Sequence, residues 1–306
     1  MQAGLIDSDT NFSKKPFLVK ARPYLIMTPA LLITIGILYP FFTAIFYSLT
    51  NYSFRATTFR FVGLKNWTQM FMEPEFWHAI LVTGKYALAT TGSEMLLGLG
   101  IALLLSKESK FTRILRVLLI FPLMIAPVIA TIIWQLMTNN SVGILEKFLN
   151  LFGVYNFPWA SSAKTALLTA TLIDVWVYAP FVILLILAGL QSLPKSPFEA
   201  AKIDGGSAWF TFRTLTLPML KPFMYIALIF RLMASLQEFA IIFALTKGGP
   251  GNTLMNLSIT GYTTGFAYLK FGESLPYVLT LWLIIYLISR KLVAKWLLVQ
   301  KTAGGN

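Results

Sequence analysis

The stretch TALLTATLIDVWVYAPFVILLILAGL, residues 165–190, decides the fold class of this 306-residue chain. Asp174 is its one charged residue, and most of the other positions are apolar. A helix that spans a membrane needs about 20 mostly apolar residues, so this stretch predicts one such helix. Five further stretches have the same character, at residues 24–49, 79–105, 112–137, 218–246 and 275–299. We therefore predict an all-α membrane protein with six transmembrane helices.

The composition supports a membrane protein and excludes several classes of function. Hydrophobic residues make up 57% of the chain and charged residues 12%, against about 25% charged residues in soluble domains. The absence of cysteine and the single histidine, His78, exclude disulfides, cysteine-ligated metals and histidine clusters. The 25 Lys and Arg against 12 Asp and Glu would suggest nucleic acid for a soluble chain, but in a membrane protein basic loops set the orientation. We predict neither a metal site nor a nucleic-acid partner.

The distribution of basic residues predicts how the chain crosses the membrane. Seven basic residues fall in the first, third and fifth loops, and Lys85 and Arg231 fall inside helices, which leaves 16 of the 25 for the other side. Because loops rich in Lys and Arg stay cytoplasmic, both termini are predicted to be cytoplasmic. We expect a cytoplasmic segment at residues 1–23 without a removable signal peptide, one membrane domain at 24–300 and a cytoplasmic tail at 301–306.

The fourth loop, residues 191–217, reads QSLPKSPFEAAKIDGGSAWFTFRTLTL. Pro197 suits the first turn of a helix, Glu199 favours the positive N-terminal end, and the pair Gly205-Gly206 ends a helix. The loop therefore predicts a short cytoplasmic helix. From composition alone, such a helix either rests on the lipid surface or docks a partner.

This loop, which we call the coupling loop, also carries a spaced motif. Glu199-Ala200-Ala201 is followed after three residues by Gly205, and after nine more by Leu215-x-Leu217-Pro218. The pattern resembles the EAA loop of permease subunits in binding-protein-dependent ABC importers, with Leu215 where isoleucine is usual. Further stretches are similar to sugar permeases of the maltose and glycerol-3-phosphate type: FVGLKNW at 61–67 with EPEFW at 73–77, RVLLIFPLMIAPVIATIIW at 116–134 and LTKGGPGNT at 245–253.

The resemblance implies that the short helix is a coupling helix seated in a cleft of a partner ATPase. Glu199 would supply a charged contact to the ATPase, and Ala200 and Ala201 would allow close approach. Gly205 would turn the chain out of the cleft, and Asp204 would be either a second contact or a cap.

The resemblance also implies the composition of a complex. This chain would assemble in the lipid membrane with a second permease, usually a different but related chain, with two copies of an ABC ATPase and with an extracytoplasmic solute-binding protein. The sequence contains no G-x-x-x-x-G-K-[ST] phosphate loop. ATP and Mg²⁺ are therefore expected on the ATPase, with no cofactor on this chain.

Five ionisable residues fall inside the predicted spans: Lys85, Glu94, Asp174, Arg231 and Glu238. Such groups are costly in a membrane, so they usually face a cavity or one another. Two interpretations follow from the residues. Arg231 forms an internal ion pair with Asp174 or Glu238 that holds the bundle together, or the charged groups form a polar lining for a hydrophilic solute.

The resemblance favours the second interpretation. Six residues match positions that contact sugar in the maltose-type permease: Asp174, Val177, Tyr178, Arg231, Ser235 and Glu238. Three of the six are charged here, which suggests either a closed ion-pair gate or a charged solute. Since Arg can bind a carboxylate in bidentate geometry, an acidic oligosaccharide is one candidate.

The fifth loop, residues 247–274, is expected to be a folded lid on the outer side. The resemblance implies that Gly248, Gly249 and Pro250 face the binding protein, and the alternative is an ordinary turn. The leading hypothesis is thus a bacterial inner-membrane importer subunit for a sugar or oligosaccharide, not an enzyme and without catalytic residues. The alternative is a self-contained secondary transporter or channel with an intramembrane charge relay.

Overall fold

The computed structural model describes the backbone of residues 17–56 and 58–303, and this part of the chain is mostly helical. Within it, an isolated bridge between Thr50 and Phe61 is the only β-pairing. Most of the predicted N-terminal segment and the end of the predicted tail lie outside the described residues. The thirteen α-helices of this part are α1 (Phe17–Ser48), α2 (Lys65–Met72), α3 (Pro74–Leu105), α4 (Lys110–Leu123), α5 (Pro127–Met137), α6 (Ile144–Asn150), α7 (Ala166–Ser192), α8 (Ser196–Ile203), α9 (Ala208–Thr211), α10 (Leu217–Leu236), α11 (Ala240–Thr246), α12 (Leu257–Tyr262) and α13 (Phe271–Ala303).

The chain divides into two compact units, Met1–Tyr47 and Ser48–Asn306. In the first, α1 covers the first predicted span as a single helix. The second unit is a helical bundle in which α7 packs against α3, α4 and α10, while α10 also packs against α3 and α13. Helix α7, whose sequence predicts the fold class most directly, therefore lies at the centre of this bundle.

Apolar side chains join the helices of the bundle. One buried cluster connects α3, α7 and α10 and includes Val182, Ile186 and Leu220. A second cluster connects α7 with α11 and includes Ile173 and Ile241. Because α7 contributes to both clusters, Asp174 is placed inside the bundle and is fully buried.

Five helical segments of the described chain are long and apolar enough to cross a membrane, and a sixth is added if α4 and α5 together form one span. The predicted third span, residues 112–137, is thus not one straight helix, because α4 and α5 meet at an angle of 100°. The break precedes Pro127, and Ala126 has an extended ψ of 135°. Proline disfavours helical backbone in the preceding residue but is well suited to the first turn of the next helix.

The predicted fifth span, residues 218–246, begins and ends earlier in the structure. A continuous helical segment runs from Ala208 to Leu236, with one π-helical turn between α9 and α10. The side chain of Ser207 accepts a hydrogen bond from the backbone N–H of Phe210 and so caps the start of this segment. Beyond Leu236 the chain turns, and α11 is a separate short helix.

Candidate functional site

Buried charged side chains lie where α3, α7 and α10 pack together. Arg231 on α10 donates through Nε and Nη2 to the two carboxylate oxygens of Glu94 on α3, at 2.6 and 2.7 Å. Nη2 of Arg231 also donates to Oδ1 of Asp174 on α7, at 2.6 Å. Arg231 is 4% exposed and the two acids are 0% exposed. This group, which we call the charged cluster, joins three helices through one guanidinium.

Aromatic and hydroxyl groups surround the charged cluster. The hydroxyl of Tyr86 donates to Oδ2 of Asp174 at 2.8 Å. The guanidinium carbon of Arg231 lies 4.1 Å from the ring centroid of Tyr178, which is a cation–π contact. Nη2 of Arg231 also lies 3.3 Å from Oγ of Ser235, one helical turn along α10. Both oxygens of Asp174 and two of the three guanidinium nitrogens therefore have partners.

The structure brings together four of the six predicted pathway residues: Asp174, Tyr178, Arg231 and Ser235. Val177 is buried on the same helix as Asp174. Glu238 is not hydrogen-bonded to Arg231: its Oε1 accepts the backbone N–H of Ile241 at 2.8 Å and so caps α11, although its carboxylate still interacts electrostatically with Asp174 and Arg231. Of the two ion pairs that the sequence left open, the Arg231–Asp174 pair is present in the described structure, and Glu94 is the second partner of Arg231.

Glu94 was marked in the sequence as an ionisable residue inside a span but was not assigned to the pathway. The available signal was the cost of burying a carboxylate in a membrane, which predicts a partner. Spacing along α3 cannot identify that partner, because Arg231 lies on another helix. Lys85, the other charged residue of that span, is exposed on α3.

The charged cluster is asymmetric in charge. Two carboxylates share one guanidinium, whose Nε and Nη2 donors are all directed at protein groups. Such an arrangement can bind three helices into one unit, or it can open and present acceptors to a solute. Removing Arg231 would leave two buried carboxylates without a counter-ion, which is strongly unfavourable.

The helix predicted in the coupling loop is present as α8. Pro197 lies in its first turn together with Glu199, as the sequence predicted. Gly205 follows the helix with a φ of +73°, in the left-handed region that glycine adopts without strain. Asp204 lies at the C-terminal end of the helix, where its backbone N–H donates to the carbonyl of Ala200 at 2.9 Å. The predicted coupling residues are half-buried at Ala201 and exposed at Glu199, Ala200, Asp204 and Gly205.

Apolar side chains and a cleft adjoin α8. Ile203 is 86% exposed and Trp209 is 68% exposed. A cleft of about 930 Å³ lies beside the helix, and its lining includes Leu103 from α3, Leu190 from α7 and Phe198 from α8 itself. Exposed apolar side chains next to charged ones are typical of a surface that contacts another protein.

The start of the fifth loop is folded against α3. Gly248 has a φ of +99°, and a Cβ built there would collide with Sδ of Met255, so this position requires glycine. The backbone N–H of Leu254 donates to the carbonyl of Gly248 at 2.9 Å, and Nε2 of His78 on α3 lies 2.8 Å from the carbonyl oxygen of Asn252. The predicted binding-protein contacts are buried at Gly248 and half-buried at Gly249 and Pro250, and the exposed residues beside them are Lys247, Gly251 and Asn252.

The fold and these sites define a multi-helix membrane protein with a buried charged centre and an exposed short helix. Residues 94–298 match the family described as "Binding-protein-dependent transport system inner membrane component". The matched region includes the charged cluster, α8 and the fifth loop. This chain therefore belongs to that family of inner membrane components.

Individual relatives support the same assignment. The chain is 37% identical over 213 residues to the trehalose/maltose transport system permease protein MalF of Thermococcus litoralis, covering 70% of this chain and 71% of that protein. It is 33% identical over 259 residues to the sulfoquinovosyl glycerol transport system permease protein SmoG of Agrobacterium fabrum, covering 83% and 84%. It is 32% identical over 265 residues to the sn-glycerol-3-phosphate transport system permease protein UgpA of Pectobacterium atrosepticum, covering 86% and 90%. The predictions of a multi-pass inner-membrane permease and of a protein that is not an enzyme are confirmed.

A solved structure has the same fold. A chain of a bacterial ABC transporter involved in the import of the acidic polysaccharide alginate aligns with a TM-score of 0.80, covering 93% of this chain and 98% of that chain. The two sequences are 17% identical. This similarity concerns the fold alone.

Proposed function

We propose that this chain is one of two permease subunits in an ATP-driven importer for a sugar or oligosaccharide. An extracytoplasmic binding protein delivers the solute, and two partner ATPase subunits bind ATP and Mg²⁺ and supply the energy. The observation that carries this proposal is the exposed helix α8, formed by the Glu199-Ala200-Ala201 segment in a chain of this family.

The connections of α8 support its role as the coupling helix. Residues 193–195 join it to α7, and residues 204–207 join it to the segment Ala208–Leu236. A helix held by such short connections passes a rigid-body movement directly to its neighbours, whereas a long flexible loop does not. Closure of the ATPase pair on ATP thus moves α7 and α10 through α8.

The orientation follows from the basic residues. The coupling loop and both termini are cytoplasmic, where the ATPases lie, and the fifth loop is on the outer side. There Lys247, Gly251 and Asn252 are the exposed residues beside Gly249 and Pro250, and this surface receives the binding protein.

The charged cluster lies on the solute pathway in this proposal. Its carboxylates accept hydrogen bonds from sugar hydroxyls, and the ring of Tyr178 offers an aromatic face. The relatives' names refer to trehalose and maltose, to sn-glycerol-3-phosphate and to sulfoquinovosyl glycerol. These solutes share hydroxyl groups and differ in charge, so the relatives suggest a hydroxyl-rich solute and leave its charge open.

The direct test is biochemical. We would purify the chain in mild detergent with the ATPase, second permease and binding protein encoded with it, and measure ATP hydrolysis with trehalose, maltose and sn-glycerol-3-phosphate. We expect the ATPase to co-purify and at least one solute-loaded binding protein to stimulate hydrolysis. Solute uptake into vesicles by this chain without an ATPase, driven by an ion gradient, would contradict the proposal and favour a secondary transporter.

A further inference from the structure

The partners of Arg231 in the charged cluster determine whether an acidic solute can bind there. In this structure Nε and Nη2 of Arg231, one donor pair that can bind a carboxylate, are already directed at Glu94 in bidentate geometry. The position that the sequence left open for an acidic solute is therefore occupied by a residue of the protein itself.

An anionic solute could reach Arg231 in two ways. At Nη1, the nitrogen that none of these hydrogen bonds uses, it would lie beside two carboxylates, and at Nε or Nη2 it would have to replace one of the two acids. Glu94 and Asp174 are each 0% exposed, and both are fixed on helices in the core of the bundle. A displaced carboxylate would stay buried without a counter-ion, which is the costly outcome for a broken buried ion pair. When an acidic solute replaces Glu94 or Asp174 at Arg231, one carboxylate contact is exchanged for another, so little attraction is gained. The displaced carboxylate then repels the acidic solute.

The surroundings add negative rather than positive charge. Glu238 contributes a third buried carboxylate from the turn after α10, near enough to interact electrostatically with Asp174 and Arg231. Lys85 is exposed on α3 rather than part of the cluster. The groups that remain for a solute are carboxylate oxygens and the hydroxyls of Tyr86, Tyr178 and Ser235. These groups suit neutral hydroxyls and repel acids.

Resting on the proposed function, we infer that Glu94 sets the charge selectivity of the pathway. Because Glu94 binds Arg231, carboxylates outnumber positive charges in the cluster, and solutes without acidic groups are favoured. Glu94 is thus a residue that determines specificity. Among the solutes that the relatives' names contain, the neutral disaccharides fit this pathway and the phosphate and sulfonate compounds do not.

The inference can be tested without knowing the solute, because the chain contains no cysteine. Ser235→Cys introduces one thiol beside Arg231 with almost no change in size. The complete importer would be reconstituted and treated during ATP hydrolysis with methanethiosulfonates that carry a sulfonate, a trimethylammonium or a neutral group. Mass spectrometry of this chain gives the labelling rate for each reagent. Each rate is divided by the rate at which the same reagent reacts with a small free thiol, which removes differences in intrinsic reactivity.

We expect the sulfonate reagent to react about tenfold more slowly than the trimethylammonium reagent, with the neutral reagent between them. Glu94→Gln on the Ser235→Cys background should remove most of this difference, because it removes one negative charge and leaves Arg231 paired with Asp174 alone. Glu94→Asp should keep the difference. Glu75→Gln on the same helix, at an exposed position in its first turn, removes the same charge and should also keep the difference.

Three results would overturn the inference: equal corrected rates for the two charged reagents, an unchanged ratio in an assembled Glu94→Gln complex, or a thiol that no reagent reaches in an importer that hydrolyses ATP. If Glu94→Gln does not assemble, the rates of the sulfonate and trimethylammonium reagents are compared in Ser235→Cys and in Ser235→Cys with Glu94→Asp. Equal rates in these two complexes would overturn the inference, and a slower sulfonate reagent in both would support it. Failure of the proposed function is distinguishable, since it would abolish stimulation of ATP hydrolysis by the binding protein.

Discussion

Arg231 is the residue on which the centre of the bundle depends. Its guanidinium lies between two carboxylates and under the ring of Tyr178, with bonds of 2.6 to 2.7 Å to Glu94 and Asp174. Breaking a buried ion pair by removing one partner costs about 3–5 kcal/mol, whereas replacing all its members by well-packed hydrophobic residues of similar volume is often neutral or stabilising. The destabilising effect therefore comes from unpaired charge, not from loss of the contact.

We predict that Arg231→Gln lowers the free energy of unfolding of the assembled subunit by about 3–5 kcal/mol. The triple variant Arg231→Gln, Glu94→Gln, Asp174→Asn should recover most of this loss, because no charge remains in the cluster. Thermal unfolding of the purified complexes measures both. A triple variant as unstable as Arg231→Gln would contradict the role assigned to unpaired charge.

The sequence predicts which residues must have partners but not which partners they have. A carboxylate and a guanidinium inside predicted spans are expected to pair, and Asp174 was a candidate partner of Arg231. Glu94 is separated from Arg231 by more than 130 residues of sequence, and only the packing of α3 against α10 joins them. Glu238 was the other candidate partner of Arg231, but the chain turns after Leu236 and Glu238 caps the next helix instead.

At the scale of the element, α8 was predicted well because its limits are coded locally. Pro197 in the first turn and glycine after the last turn are short-range signals. The two breaks in the predicted spans were missed because a window of apolar residues does not register a bend. Two residues were available as signals of these breaks. Pro127 suits the first turn of a new helix, and Glu238 is an acid just ahead of an apolar run, which is typical of a helix start.

Gly205 gives a prediction about the end of α8. Its φ of +73° strains other residues by about 1–2 kcal/mol, while asparagine tolerates this region. No atom lies within 4 Å of a Cβ added at Gly205, so the effect comes from the backbone and not from a collision. We predict that Gly205→Asn keeps solute-stimulated ATP hydrolysis and that Gly205→Val loses most of it.

Gly153 supplies the matched control for this experiment. It has a φ of +78°, and an added Cβ there also meets no atom within 4 Å, but it lies between α6 and α7. Gly153→Val should strain the backbone to a similar extent and leave stimulated hydrolysis intact. Equal losses in Gly153→Val and Gly205→Val would show that backbone strain alone, rather than the end of the coupling helix, is responsible.

At the scale of the whole molecule, the number and order of apolar stretches predicted the architecture. Each predicted span overlaps a helix of the structure, since about 20 apolar residues can cross a membrane only as a helix. Their arrangement in space was beyond the sequence, because every span is apolar over most of its surface and no periodic stripe marks its neighbours. The central position of α7 was therefore found only in the structure.

The orientation of the molecule gives a further prediction. In right-side-out membrane vesicles, an impermeant maleimide should label Asn252→Cys and should label Lys202→Cys only after the vesicles are opened. Both side chains are exposed in the structure, so accessibility to the reagent reports the side of the membrane. Labelling of Lys202→Cys in sealed vesicles would contradict the cytoplasmic position of the coupling loop.

Photo-cross-linking from α8 shows whether this helix is seated on an ATPase. A benzophenone maleimide would be attached to Ala200→Cys in native membranes, with Lys295→Cys on α13 as the control. Both positions are exposed, and Lys295 is one of the basic residues counted at the cytoplasmic end of the last predicted span. We predict a covalent product between the Ala200→Cys chain and the ATPase, little product from Lys295→Cys, and loss of solute-stimulated hydrolysis in the cross-linked fraction. An importer that hydrolyses ATP normally while Ala200→Cys cross-links only to lipid would contradict this prediction.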